Sequence, residues 1–144
     1  MYFDIIWPFS DNMISDNSIN NNSLVCKLNY KNYSMLFTGD IEAIAEKAIL
    51  KKYSKNLNIL KSDILKVAHH GSKTSSITEF IEKIKPKYAI IGVGEDNKFG
   101  HPSDNTIQNL EKANIRIYRT DKMGEIEIKT NGKEIKINEF LKCK

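Results

Sequence analysis

The feature that most constrains the fold of this chain is an alternation of strand-like and helix-like apolar patterns through its middle, with hairpin patterns at both ends. Short runs rich in β-branched and aromatic residues, bounded by turn formers, predict strands. Strands that alternate with helices predict a mixed α/β layered domain. The predicted strands are "YFDIIWP", "SLVCKLNY", "YSMLFTGD", "SDILKVA", "YAIIGVG", "IRIYRT", "EIEIKT" and "EIKINEF", with Asn131-Gly132 as the turn of the last hairpin.

Three helices are predicted between these strands. Apolar residues recur at helical spacing over residues 41 to 52 and again over residues 77 to 84. Ser76 and Glu79 have the spacing of a capping box at the start of the second helix. The polar stretch at residues 10 to 23 is predicted to be a loop. The third helix is predicted to be capped by Ser103 or Asp104 and to run through Leu110.

Length and composition indicate one domain over residues 1–144, because 144 residues that are 40% apolar can bury a hydrophobic core. The net charge of +4 comes mainly from lysine, since only Arg116 and Arg119 are arginine. A solvated lysine-rich surface is the simpler interpretation, and a patch that binds a polyanion is the alternative. No apolar run reaches the roughly 20 residues of a membrane span. The start "MYFDIIWPFS" lacks the basic leader of a signal peptide, so a soluble chain is expected.

The two cysteines predict neither a disulfide framework nor a zinc finger, because they are far apart and form no CxxC pair. Cys26 alternates with Leu24 and Leu28 on one face of a predicted strand. We therefore expect Cys26 to be a core residue. Cys143 lies in a lysine-rich tail that is expected to be frayed.

Polar residues collect where three predicted strands end, in "FTGD", "AHHGS" and "GVGEDNKFGHP". In layered α/β folds the loops that leave the carboxyl ends of strands gather the functional side chains. Asp40, at the first exit, either caps the following helix or serves as a carboxylate metal ligand. His101, at the third exit, lies between Gly100 and Pro102, and a loop histidine of this kind is as often incidental as functional.

The adjacent histidines His69 and His70 are two of only three in the chain. They are either part of a polar loop that caps the next helix or a functional pair, and the pairing favours function. Gly71 and Ser72 follow, so that an anion could approach the backbone near a helix start. One carboxylate with imidazole nitrogens is a ligand set that suits zinc or manganese.

Other catalytic motifs are absent from the sequence. It contains no G-x-S-x-G elbow, no P-loop and no G-x-G-x-x-G fingerprint. A triad of Ser72, His70 and Asp40 can be drawn, but no sequence context supports it. A metal-assisted reaction is therefore the favoured chemistry, since a bound metal lowers the pKa of its water and polarises a phosphoryl or carbonyl group.

The blocks "MLFTGDIEAIAEKAIL", "DILKVAHHGSKTSS", "KPKYAIIGVGEDNKFGHPS" and "IYRTDKMGEIEI" together resemble the metallo-β-lactamase-fold domain of the ComEC family of DNA-uptake (competence) proteins. The resemblance covers nearly the whole chain in order. It implies an αβ/βα sandwich with a metal site at one sheet edge. It also implies a metal-dependent nuclease, a phosphodiesterase that acts on DNA during uptake.

The resemblance assigns roles to residues of this chain. Asp40 matches the metal-bridging aspartate, and His70 matches the histidine of the later metal motif, so both are expected to bind zinc or manganese. His69, His101 and Ser72 are expected to be catalytic, with Ser72 or Lys73 contacting phosphate. Where the wider fold often has a histidine before the strand leading to the aspartate, this chain has Asn21 or Asn22, so that ligand is not matched.

The main metal motif of the fold, His-x-His-x-Asp-His, is absent from the sequence. The chain therefore resembles a partial domain, the C-terminal half only, and its metal binding is expected to be weak or incomplete. The expected partners are DNA and either the missing N-terminal half or the membrane channel region of a parent protein. The expected location is at the membrane within such a channel protein, or the cytoplasm if the chain is expressed alone.

Two alternatives to the uptake nuclease remain open. One is a stand-alone hydrolase of another substrate, such as a phosphoester, thioester or lactam. The other is a degenerate module without catalysis that serves as a scaffold or binds nucleic acid through its lysines.

Overall fold

The structure is a computed structural model that describes residues 1–11 and 13–141. The strands are β1 Tyr2–Trp7, β2 Val25–Tyr30, β3 Tyr33–Phe37, β4 Ile64–Lys66, β5 Tyr88–Ile91, β6 Arg116–Arg119, β7 Ile126–Thr130 and β8 Ile135–Glu139. The α-helices are α1 Ser18–Asn21, α2 Ala43–Lys52, α3 Thr78–Ile84, α4 Asp104–Lys112 and α5 Thr120–Met123. Two 3₁₀ turns occupy Leu57–Leu60 and Ala68–Gly71.

The first six strands form one sheet in chain order, β1-β2-β3-β4-β5-β6. The β1, β2 and β3 strands pair antiparallel, whereas β3 to β6 are parallel. A short hairpin turn joins β2 to β3, and a longer segment that contains α1 joins β1 to β2. Parallel neighbours need crossovers, which α2, α3 and α4 supply. The predicted mixed α/β class is confirmed.

One face of this sheet packs against the helices and forms the main core. Leu36, Leu65, Ala89 and Ile91 from the central strands are all 2% exposed or less. They pack against apolar residues of α2, α3 and α4, namely Ala45, Ile49, Phe80, Ile81, Ile84 and Leu110. The three crossover helices lie on this face of the sheet because each must bury its apolar stripe there.

The opposite face carries a second, smaller cluster of Ile64, Ile90 and Tyr118, which the β7–β8 hairpin covers through Ile128 and Ile135. Two polar contacts fasten this hairpin to the β2–β3 turn. Lys31 Nζ donates to Asn131 O at 3.0 Å, and the Tyr33 hydroxyl donates to Lys133 O at 2.7 Å.

Beyond the hairpin, the same face is open to solvent at the β1 edge. Phe3 is 55% exposed and Ile5 is 50% exposed. Cys26 pairs with Ile5 and is only partly buried, so its prediction as a core residue is wrong. The fully buried residue of β2 is Val25, because the helices cover the face to which Val25 points. Cys143 lies outside the described residues.

The predicted capping box at the start of α3 is wrong. Ile77 is the N-cap residue and no side chain of the box caps the helix, while Ser76 has a left-handed backbone with φ of 61°. The buried carboxylate of Glu46 on α2 accepts instead from Ser76 N at 2.7 Å and Ile77 N at 2.9 Å. A partner 30 residues away in the chain has replaced the local cap.

The other predicted cap is confirmed, because the Ser103 hydroxyl accepts from Thr106 N at the start of α4. The predicted loop at residues 10 to 23 contains the short helix α1. Within the described residues, no helix has the length and apolar character needed to cross a membrane.

Candidate metal and phosphate site

Three strand ends converge at one edge of the main sheet. Gly39 and Asp40 follow β3, the His69-His70 pair follows β4, and Gly92 follows β5. The first two loops are joined by a backbone bond from His69 N to Gly39 O of 3.0 Å. A Cβ on Gly39, which has φ of 54°, would lie 2.7 Å from Ser23 Cβ. Glycine is therefore required for Asp40 to reach this position.

The backbone is left-handed at three successive residues, with φ of 46° at His69, 54° at His70 and 84° at Gly71. Such a conformation costs a non-glycine residue roughly 1–2 kcal/mol. Gly71 fits here because a Cβ would lie 2.5 Å from Pro102 Cβ. The strained turn directs the two imidazoles to different partners, and strain of this kind concentrates at functional sites.

The partners of the His70 ring indicate which of its two nitrogens carries the proton. Nδ1 lies 2.6 Å from Gly92 O, and because a carbonyl can only accept, Nδ1 carries the proton. In the neutral imidazole, Nε2 then has a free lone pair, which lies 3.9 Å from Asp40 Oδ1. A histidine whose second nitrogen donates to a backbone carbonyl is the usual arrangement of a metal ligand.

The His69 ring faces the other way, toward α2. Its Nδ1 is buried without a hydrogen-bond partner among the described residues and lies 3.7 Å from Glu42 Oε1. That carboxylate already accepts from the Thr74 hydroxyl at 2.9 Å. Glu42, which the sequence analysis did not single out, therefore holds the His69 side of the loop.

His101 joins the same cluster from the loop after β5. Its ring lies edge-on to that of His69, with 5.7 Å between the centroids, and it stacks on Phe99. Asn97 holds the loop by accepting from His101 N at 2.9 Å and donating to His101 O at 2.7 Å. Burial, followed by the neighbouring His69 and His70, lowers the pKa of His101, which favours its neutral form.

Ser72 lies behind the histidines and is only 5% exposed. Its hydroxyl is 3.0 Å from that of Thr74, and its carbonyl accepts from the Thr106 hydroxyl. These bonds tie the histidine loop to α4. A catalytic role for Ser72 stays a prediction, as do the roles predicted for the other residues at this edge.

Lys66 is a site residue that the sequence analysis missed. It ends β4 and its Nζ donates to Val67 O at 3.1 Å. A Cβ on Gly92 would lie 3.4 Å from Lys66 Cε, so the glycine leaves room for the lysine stem. Burial lowers the pKa of Lys66, and the negative charge of Asp40 opposes that shift. A lysine at the end of an otherwise apolar strand was the available clue.

The ligand set is incomplete for a whole metal shell. No group of three or more histidine, cysteine, aspartate or glutamate side chains is placed to hold a metal among residues 1–11 and 13–141. Asp40 and His70 nevertheless suit one side of such a shell, because metal–nitrogen and metal–oxygen bonds of about 2.0–2.2 Å can bridge their separation.

Asn21, which the sequence resemblance placed where a histidine was expected, has a structural role. It is fully buried and its Oδ1 accepts from Glu42 N at 3.0 Å. Its carbonyl accepts from Trp7 Nε1 at 2.7 Å. Asn22 bonds back to Ile14 and Ser18, away from the histidines.

No family model matches the chain. Among curated proteins, ComE operon protein 3 of Bacillus subtilis is 40% identical over 76% of this chain and 14% of its own length. Competence protein ComA of Neisseria gonorrhoeae is 32% identical over 87% of this chain and 17% of its own length. The similarity supports a competence family.

A further relative is Recombination protein 2 of Haemophilus influenzae, which is 29% identical over 89% of this chain. The chain spans between 14% and 17% of the length of these three relatives. The matched region is thus one segment of each of these relatives.

Proposed function

We propose that this chain is the C-terminal part of a metal-dependent DNA nuclease domain with a metallo-β-lactamase-like fold, within the DNA-uptake machinery of competence. Its partners would be DNA and the remainder of a longer protein, including the other half of the domain and a membrane channel region. The names of the relatives support the competence role, and the geometry at the sheet edge supports the metal chemistry.

The observation that carries the proposal is the orientation of His70. Its Nδ1 proton is donated to Gly92 O, so that in the neutral ring the Nε2 lone pair is free beside the Asp40 carboxylate. Asp40 follows β3, His70 follows β4 and Gly92 follows β5, so three neighbouring strand ends bring these groups together. The Asp40 side chain is 46% exposed, so a metal ion could reach both groups from solvent.

In this proposal Asp40 and His70 hold the zinc or manganese ion, which when bound activates water and polarises a phosphodiester. His69 and His101 flank that position. With its pKa lowered, His101 can accept or relay a proton near neutral pH. Glu42 orients His69, because its carboxylate lies beside His69 Nδ1 and is itself held by the Thr74 hydroxyl.

A non-catalytic module is the second candidate, favoured by the lack of a group of three ligands within the described part of the chain. A stand-alone hydrolase of another substrate is the third. Metal content separates the second from the other two, and cleavage of DNA against other esters separates the first from the third.

The proposal is tested in a reconstituted domain, with the other half of the site supplied in cis or in trans. His70→Ala should lower metal occupancy and DNA cleavage together, and Asp40→Ala should do the same, because each removes a ligand. His69→Ala should retain more of the metal while still slowing turnover. Elemental analysis and cleavage of linear DNA supply the two measurements.

The roles of the pair would be reversed if His69→Ala stripped the metal and His70→Ala spared it. If neither change altered metal content or cleavage, the histidines would be structural and the nuclease proposal would be wrong. Lys87→Ala is a matched control, since Lys87 lies at the opposite end of β5, beside Asp63.

A further inference from the structure

We propose that Lys66 is the phosphate-binding residue of this site, donating to a non-bridging oxygen of a nucleotide held beside Asp40 and His70. This inference rests on the proposed nuclease function, for which it names the group that recognises the substrate. The sequence offered Ser72 or Lys73 for this task, and the structure favours neither.

The position of Lys66 is the first support. Its side chain leaves the end of β4 between the strand exits that carry Asp40 and Gly92. The carbonyl of Gly92 is the one that holds the His70 ring. Lys66 Nζ lies 3.9 Å from where a Cβ on Gly92 would stand, and Asp40 is the charged group that acts on it, so the ammonium group is at the same edge of the sheet.

The hydrogen-bonding capacity of Lys66 is the second support. An ammonium has three donors. Among the described residues, the recorded partner of Nζ is Val67 O alone, at 3.1 Å. The remaining N–H groups can donate to a ligand oxygen, and the half-buried setting strengthens such a charge-assisted bond relative to one on the open surface.

The fixed stem of Lys66 is the third support. Its Cε lies against Gly92, where a Cβ would stand 3.4 Å away, at ordinary van der Waals contact. The backbone below is also held, because the Thr38 hydroxyl donates to Lys66 O at 2.6 Å. A lysine held in this way loses less conformational entropy on binding than an exposed one.

The alternatives are less suitable. Ser72 is buried, and its hydroxyl already pairs with Thr74. Lys73 is fully on the exposed side of the loop. A phosphate near Asp40 would also be repelled by that carboxylate, and the positive charge of Lys66 offsets this repulsion at short range.

The test uses the full chain labelled with ¹³C and ¹⁵N, with thymidine 5′-monophosphate as the probe and thymidine as the uncharged control. In the unaltered chain, the Cε–H signals of Lys66 should move with the nucleotide and stay still with the nucleoside. This measurement needs no variant, so it remains decisive even if a substitution at Lys66 disturbs folding.

Variants then measure the contribution of the charge. Lys66→Met should weaken the apparent Kd for the nucleotide about tenfold, as expected for loss of one bond to a charged group. Lys66→Arg should stay within about threefold of the parent chain, and Lys73→Met should bind like it. Amide spectra of each variant report whether its fold is retained.

The inference is overturned if the Lys66 signals do not respond, or if Lys66→Met binds as well as the parent. It is also overturned if Lys73→Met is the variant that loses binding. Failure of the proposed function has a different signature, in which the nucleotide binds through Lys66 while the reconstituted domain leaves DNA intact with zinc and with manganese.

Discussion

At the scale of single residues, the least expected feature is the left-handed backbone at His69 and His70. The adjacent histidines were visible in the sequence, and so was their position after an apolar strand. Their conformation was not, because positive φ is uncommon for histidine and no local pattern requires it. Contacts from other strands hold it, notably the His69 N to Gly39 O bond and the packing of Gly71 on Pro102.

This backbone can be tested without any assay of function. His69→Gly should be more stable than His69→Ala by about 1 kcal/mol, because both remove the imidazole and only alanine keeps a Cβ in the left-handed region. Chemical denaturation of the two variants measures the difference.

The control pair is Lys73→Gly and Lys73→Ala, at a residue outside the positive-φ set. At Lys73 the alanine variant should be the more stable of the two, since glycine there only adds conformational freedom to the unfolded chain. An alanine variant at His69 that equals or exceeds the glycine variant in stability would contradict the strained turn.

At the scale of elements, the strands and the three long helices followed from apolar periodicity, whereas the start of α3 did not. A capping box is a local pattern, and Ser76 with Glu79 matched it. The pattern failed because Glu46 of α2, buried beneath the loop, provides acceptor oxygens for Ser76 N and Ile77 N, and the first of these is the N–H group that Glu79 would accept from in a capping box. Sequence reasoning expects a buried glutamate only where a partner is known.

Glu46 makes the stability of the chain depend on pH. Burial raises the pKa of Glu46, and the two backbone donors lower it by less. The result is a pKa raised to about 7. A raised folded-state pKa means that the folded chain binds more protons than the unfolded chain between the ordinary value and about 7. The contribution of Glu46 to the unfolding free energy should therefore be greatest at low pH and fall by about 3 kcal/mol at most as pH rises through that window.

The measurement compares urea unfolding of the parent chain and Glu46→Gln from pH 5 to pH 8. Glutamine does not titrate, so the unfolding free energy of the parent should decline relative to the variant as pH rises. The two chains differ only at residue 46, so contributions from the other groups cancel in the difference. A difference that is constant, or that grows in favour of the parent, would disprove the raised pKa.

At the scale of the whole molecule, the open part of the sheet near β1 distinguishes this chain from a closed sandwich. The mixed α/β class was predictable from the alternation of periods, and so were the three strand exits that build the candidate site. The role of the β7–β8 hairpin was not, because nothing in "EIEIKT" or "EIKINEF" indicates which sheet face it covers. Lys66 and Glu42 were missed for a related reason, since the groups they contact, Gly92 and Thr74, come from other parts of the chain.

The uncovered face predicts self-association of the chain alone. Phe3 and Ile5 are half-exposed on an edge strand, and apolar patches on such edges promote pairing between copies. Sedimentation should detect oligomers and an environment-sensitive dye should bind. Ile5→Lys should reduce both, whereas Ile19→Lys, at an exposed position on α1, should not. A stable monomer that binds no dye would contradict this expectation.

Metal content gives a second prediction at this scale. With two candidate ligands from the described residues, the chain alone should retain less than one zinc or manganese ion per chain after dialysis, because a stable site needs three or four protein ligands. Elemental analysis decides the matter. One or two tightly held ions per chain would disprove the half-site interpretation.

The order of the strands along the chain also has a consequence during protein synthesis. The main sheet is complete once Arg119 has been made, but the hairpin that shields Ile64, Ile90 and Tyr118 ends at Glu139. Ribosomes add about 5–20 residues per second, so this apolar surface stays bare for on the order of one to four seconds in each nascent chain. During that interval, a chaperone that binds exposed apolar segments can bind this surface.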